Sequence, residues 1–179
     1  YFDHSNQRIG HRITPGIHGD APVTSNVWDN YSGMSPTNSV SNFGYSALAQ
    51  WTMSDQWTFK SISAYRAGST NTNIDFASTP SPELQVPARY RDHQFTQELQ
   101  AIYTGGRLNG VAGLYYLDGY SAGAADTVLG NAGLTLYFAG DARTHSLAAY
   151  TDVSYDLTDQ LELSAGVRFN DDIRAATVF

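Results

Sequence analysis

The 179-residue chain contains no cysteine. A disulfide scaffold is excluded, and so is every metal or redox motif built on thiolates. Charge is scarce: Asp, Glu, Lys and Arg make up 15% of the residues, against about 25% in a typical soluble domain. The formal net charge is −7 and no Lys/Arg run occurs, so a basic groove for nucleic acid is excluded. Long hydrophobic runs are missing as well. No stretch approaches the roughly 18 apolar residues that a membrane-crossing helix requires. The opening "YFDHSNQRIG" has neither a basic nor an apolar leader region, so the chain starts after a removed signal peptide or inside a longer polypeptide. What the chain does have is aromatic content of 13%, with twelve Tyr, and sixteen Gly. That balance points to β-structure with unusual surfaces.

One sentence is written twice. "WTMSDQWTFKSISAY" begins at Trp51 and "YDLTDQLELSAGVRF" begins at Tyr155. Both read aromatic, any residue, Met or Leu, Ser or Thr, Asp-Gln, then an alternating strand. Leu161, Leu163, Ala165, Val167 and Phe169 alternate with Glu162, Ser164, Gly166, Arg168 and Asn170. Such period-two alternation is a strand with one apolar face. Trp57, Phe59, Ser61, Ser63 and Tyr65 share a face in the same way. Upstream partners are Phe43, Tyr45, Ala47, Ala49 and Trp51 in the first repeat. In the second they are Leu147, Ala149, Thr151, Val153 and Tyr155. The connectors Ser54-Asp55-Gln56 and Thr158-Asp159-Gln160 are turn-prone, so each pair predicts a hairpin. Asp55 and Asp159 are expected to bond their own backbone there. A third hairpin lies between, around Gly105-Gly106-Arg107. Its first strand puts Phe95, Leu99, Ala101 and Tyr103 on one face, with Gln97 as a polar exception. Its second, Val111–Leu117, is apolar at both parities, so its face is ambiguous in the sequence, with Ala112, Leu114 and Tyr116 the preferred apolar side.

The connections between hairpins read differently. Residues 67–93 and 119–144 are polar stretches of 27 and 26 residues, and residues 1–42 are mainly polar too. Short turns therefore alternate with long loops, as in outer-membrane barrels. Trp51, Trp57 and Tyr155 lie at the short-turn end of the strands. Tyr65, Tyr116 and Phe169 lie toward the other end. From Trp57 to Tyr65 is roughly 26 Å along a strand, or roughly 20 Å of depth at a tilt near 40°, close to the distance between two aromatic girdles. The opposite faces carry Lys60, Arg66, Glu98, Gln100, Glu162 and Arg168, as a wet lumen requires. The fold class expected is all-β: an antiparallel transmembrane β-barrel segment of about six strands in three hairpins. Residues 43–66, 94–117 and 146–171 form the hairpins, and residues 1–42 are mainly an extracellular loop. Trp51, Trp57, Phe59, Tyr65, Leu161, Leu163, Val167 and Phe169 are the expected lipid-facing residues. A soluble β-sandwich that binds carbohydrate, or a passive outer-membrane channel, are the alternatives.

Four segments carry a resemblance. "NFGYSALAQWTMSDQWTFKSISAYR" (42–66), "DHQFTQELQ" (92–100), "GVAGLYYL" (110–117) and "SLAAYTDVSYDLTDQLELSAGVRFNDD" (146–172) resemble, in order and spacing, strands of TonB-dependent receptors. The resemblance implies a Gram-negative outer-membrane transporter whose 22-stranded barrel holds a plug domain. Such a receptor imports a siderophore, vitamin or oligosaccharide with energy from the inner-membrane proton gradient. Its implied partners are outer-membrane lipid, the imported small ligand and the TonB complex, the last reached through parts of the protein not in this sequence. No plug is recognisable, and six strands are fewer than the eight with which single-chain barrels begin. The sequence therefore reads as an internal piece of a longer polypeptide, and the piece alone is not expected to fold.

No enzyme is expected, since no nucleophile–base constellation, phosphate loop or paired carboxylates stand out. No cofactor and no metal are expected either. His4, His11 and His18 are seven apart in a polar loop, which is not a metal-ligand spacing. The candidate ligand contacts are the loop aromatics Trp28, Tyr31, Phe76, Tyr90 and Tyr137, because exposed rings on loops stack on sugars and amphiphilic chelates.

Overall fold

The computed structural model describes Asn26 and residues 31–35, 37–78 and 80–179. Six strands follow one another: β1 (Asn38–Thr52), β2 (Trp57–Asp75), β3 (Gln85–Gly105), β4 (Leu108–Leu129), β5 (Leu134–Thr158) and β6 (Leu161–Val178). Each pairs antiparallel with the next, in one sheet of order β1-β2-β3-β4-β5-β6. A single 3-10 turn, Gly130–Ala132, links β4 to β5. β1 and β6 pair with no further described strand, so among the described residues the sheet is open at both edges. A lone sheet has no second layer to pack against. The only buried apolar residues among those described are accordingly Ala88 and Ala148.

The strands are longer than the alternation predicts. Residues 67–93 and 119–144 read as loops, yet β2 continues to Asp75, β3 starts at Gln85, β4 runs to Leu129 and β5 starts at Leu134. β1 likewise begins at Asn38 rather than Phe43. What remains as connection is 76–84 and 130–133 at one end, and 53–56, 106–107 and 159–160 at the other. The cause is physical. Ladder hydrogen bonds need only backbone, whereas alternation of hydrophobicity needs one dry face. "AGSTNTNID" is polar on both faces but pairs residue for residue with β3, from Ala67↔His93 to Asp75↔Gln85. Pro87 fits because β3 pairs with β2 there while its register to β4 skips from Gln85↔Val128 to Ala88↔Ala125. A residue without an N–H belongs at such an interruption.

The short turns are held by the residue before the Asp-Gln pair. Ser54 Oγ accepts from the backbone N–H of Gln56 (3.3 Å) and Trp57 (3.1 Å). Thr158 Oγ1 accepts from Gln160 N–H at 3.2 Å. This corrects the expectation for Asp55 and Asp159: the hydroxyl, not the carboxylate, closes each turn, and Asp159 instead lies 3.8 Å from Arg107 of the neighbouring turn. The turns are stitched sideways as well, Thr104 N–H donating to Gln56 O (2.9 Å) and Asp156 N–H to Arg107 O (2.9 Å). The opposite end is tied down by Asp75, 6% exposed, which accepts from the backbone of Ala77 and Ser78 and from Ser32 Oγ at 2.5 Å.

Gly106, in the two-residue β3–β4 turn, has φ +59°, and a Cβ there would meet nothing within 4 Å. Its requirement is therefore backbone conformation alone. Gly106→Ala should lower the unfolding free energy of the full-length protein by about 1–2 kcal/mol, measured by urea titration in detergent. An unchanged midpoint would mean that the turn adopts another conformation.

Candidate functional site

Register decides which side chains share a face. The row Trp51↔Phe59↔Ala101↔Ala112↔Thr151↔Val167 crosses all six strands. So does Tyr45↔Tyr65↔Phe95↔Asp118↔His145↔Ile173. The apolar positions that the alternation assigns to each strand thus lie on one side of the sheet, including Ala112, Leu114 and Tyr116 of β4, while Leu48, Ile62, Ile102, Val111 and Leu117 fall on the other. Trp51 (63% exposed), Trp57, Phe59, Tyr65, Leu161, Leu163, Val167 and Phe169 all stand on the first side, and all are exposed. Gln97, the polar exception, is satisfied locally: Ser63 Oγ donates to its Oε1 at 2.5 Å and its Nε2 donates to Ser61 Oγ at 3.0 Å. The three polar groups on β2 and β3 cancel one another where the surrounding surface is apolar.

The aromatic rows run obliquely to the hydrogen bonds. At the short-turn end, the row of Trp51 meets β5 at Thr151, but the aromatic of β5 is Tyr155, four residues further down. Four residues are about 13 Å and four strand spacings about 19 Å, a slope of roughly 35°. At the other end, the row of Phe43 meets β6 at Ala175, six residues above Phe169. That is about 20 Å over about 24 Å, a slope of roughly 40°. Two independent boundaries thus incline alike, and both match the usual tilt of barrel strands, about 35–45°.

The reverse side carries Lys60, Arg66, Glu98, Gln100, Glu162 and Arg168. At its centre lies a built cluster. Gly113 of β4 sits between Gln100 of β3 and Tyr150 of β5. Its missing side chain lets the Tyr150 ring lie across β4; a Cβ at 113 would come within 2.3 Å of Tyr150 Cζ. The Tyr150 hydroxyl then donates to Glu98 Oε1 at 2.5 Å and accepts from Gln100 Nε2 at 3.1 Å, while Gln100 also donates to Glu98 at 3.0 Å. Arg168 of β6 caps the group, its Cζ 5.6 Å from the Tyr150 ring centroid and 5.7 Å from that of Tyr115. Asn170 Oδ1 holds the guanidinium at 2.8 Å. Four strands are cross-linked here by side chains. The cluster offers fixed hydrogen-bonding groups and a stacked cation but no activated nucleophile.

The candidate ligand aromatics do not converge. Trp28 lies outside the described residues, as do His4, His11 and His18. Tyr31 is half-buried in the segment before β1. Phe76, 57% exposed, opens the 76–84 connection. Tyr90 and Tyr137 belong to strands rather than loops, and on opposite sides of the sheet. Tyr90 packs on Gly123 of the polar side. Tyr137 pairs with Asp126 on the side of the apolar rows. Among the described residues no group of three or more His, Asp or Glu could hold a metal ion.

The family description "TonB dependent receptor-like, beta-barrel" matches residues 2–178. The chain belongs to the TonB-dependent receptor β-barrel family. The crystal structure of the ferric yersiniabactin uptake receptor FyuA from Yersinia pestis is similar to it, at 26% identity and a TM-score of 0.67. The match covers 76% of this chain and 21% of FyuA, so the chain spans about a fifth of that receptor's length. Curated proteins give no match. Within the family's barrel wall, the Glu98–Tyr150 cluster is a brace between strands. Tyr150→Phe removes the donor to Glu98 and should cost about 1–3 kcal/mol in denaturant unfolding of the full-length receptor. Gly113→Val should cost at least as much, since its side chain takes the space of the ring. A Gly113→Val protein as stable as its parent would contradict the position of Tyr150.

Proposed function

We propose that this chain is a section of the wall of an outer-membrane transporter, with its apolar side toward lipid and its polar side toward the lumen. The observation that carries this reading is the pair of aromatic rows, both inclined at the tilt of membrane-spanning strands. Exposed tryptophan and tyrosine rings at two levels suit the two membrane–water interfaces. The band between them suits hydrocarbon, since its polar residues Ser61, Ser63 and Gln97 are paired with one another. β2 begins at Trp57 and β3 ends two residues after Tyr103, so the strands stop at one interface. At the other end β2 continues ten residues past Tyr65, roughly 25 Å beyond the membrane at a tilt of about 40°. Barrels of this kind keep short turns on the periplasmic side, so the projecting end is the extracellular one.

The whole protein, on this reading, imports a small ligand. Siderophores, vitamins and oligosaccharides are the classes, and the likeness to a ferric yersiniabactin uptake receptor favours the siderophore. Transport draws on the inner-membrane proton gradient through TonB, which engages parts of the receptor outside residues 1–179. The apolar side gives one test. Leu99 of β3 lies midway between Phe95 and Tyr103, so Leu99→Arg should destabilise the full-length barrel by about 2–4 kcal/mol, while Leu163→Arg, opposite Tyr155 at the interface, should cost about 0–1 kcal/mol. Equal costs at the two positions would refute the membrane placement. Uptake gives the other. Cells expressing the full-length protein should accumulate a radiolabelled ferric siderophore, and deleting TonB should abolish accumulation. Uptake that persists without TonB would make the protein a passive channel.

A further inference from the structure

The strand extensions carry a second feature on the same side as the apolar band. That side has no Lys or Arg between the two aromatic rows. Beyond the outer row it has Arg89 and Arg91 on β3 and Arg143 on β5. Arg91 lies in the row Ser69↔Arg91↔Ala122↔Asp141, and Arg89 in the row Asn71↔Arg89↔Ala124↔Ala139. The alanines leave a depression of about 490 Å³, bordered by both arginines, Tyr120, Tyr137 and Asp141. Arg89 and Arg91 are exposed. The ion pairs among the described residues are Arg107–Asp159 and Asp118–His145. Neither arginine therefore has a carboxylate within 4.0 Å in the described part of the molecule, although Asp126 and Asp141 share their face. Arg143 is occupied differently, its Cζ 5.6 Å over the Tyr120 ring.

Depth decides what meets these groups. Arg91 stands four residues beyond Phe95, roughly 13 Å along the strand and about 10 Å above the outer aromatic row at a tilt of about 40°. An extended arginine side chain reaches back down toward the headgroup layer. The apolar band directly below, with Leu99, Leu114 and Ala149, is complementary to acyl chains. Paired guanidiniums match phosphate oxygens bidentately, and tyrosine rings with Ser69, Asn71 and Asp141 are complementary to sugar faces and hydroxyls.

We propose that Arg89 and Arg91 form a binding site for the phosphate of an outer-leaflet glycolipid, whose acyl chains lie on the apolar band beneath. The site rests on the reading that this side of the sheet faces lipid. It is tested on the full-length receptor purified in detergent, with diphosphorylated lipid A as the probe and native mass spectrometry as the readout. The parent protein should retain the lipid. The double variant R89Q/R91Q should bind it about tenfold more weakly, whereas R174Q, on the opposite side of the sheet, should bind like the parent. Lipid A stripped of its phosphates should bind the parent no better than intact lipid binds the double variant. Equal binding of intact lipid by the parent and the double variant would overturn the proposal, as would equal binding of the dephosphorylated lipid by the parent. Complete competition by inorganic phosphate at millimolar concentration would assign the site to free anion and overturn the lipid. Failure of the underlying membrane reading would look different: the parent would be monodisperse without detergent and take up neither lipid.

Discussion

Everything in this sheet depends on pairing every backbone N–H and C=O across strands. In hydrocarbon no water replaces a missing partner, and each unpaired group costs several kcal/mol. A one-residue slip between two strands keeps the bonds but turns one strand's apolar set to the wrong side. Register must therefore be fixed at the turns, and the repeated sentence in the sequence is the device that fixes it. Ser54 and Thr158 each close a turn with a hydroxyl that accepts backbone N–H groups. Trp51 and Tyr155, a few residues earlier, are the rings that on the proposed reading set the level at which the strand meets the interface. Two hairpins 104 residues apart face one problem and use one solution.

The parts of the fold legible in the sequence are those with one dry face. Leu161 to Phe169 alternates so cleanly that strand, face and direction all follow from it. The strand extensions are illegible for the complementary reason. Both faces of Thr70–Asn73 carry polar side chains, so no periodicity in hydrophobicity distinguishes a laddered strand from a loop. The remaining clue is the β-branched threonine at alternate positions, which favours strand but stands among Ser, Asn and Gly.

The polar brace was half legible. Glu98, Gln100 and Arg168 could be assigned to the polar side by parity alone. Their joining through Tyr150 could not, because it depends on an absent side chain: Gly113 opens the path for the ring, and nothing in its local sequence marks it. Gln97 read as an exception because its partners, Ser61 and Ser63, stand on another strand. The aromatics show the opposite failure. Tyr90 and Tyr137 looked alike as loop rings, but once the extensions are strands, parity sends them to opposite sides.

On the proposed transporter reading, the strand extensions also change how a ligand would meet the outer mouth of this sector. Long unstructured loops would have to lose conformational freedom when they closed on a ligand, at about 1–2 kcal/mol for each backbone residue fixed. Here most of that ordering is complete before any ligand arrives, because residues 67–75, 85–93, 119–129 and 134–144 are already laddered. On that reading the sector is a stiff palisade, whose selectivity would come from shape and from groups fixed in space. The link between β2 and β3 stands outside these ladders, and its start is tied down by Asp75, which accepts from the backbone of Ala77 and Ser78.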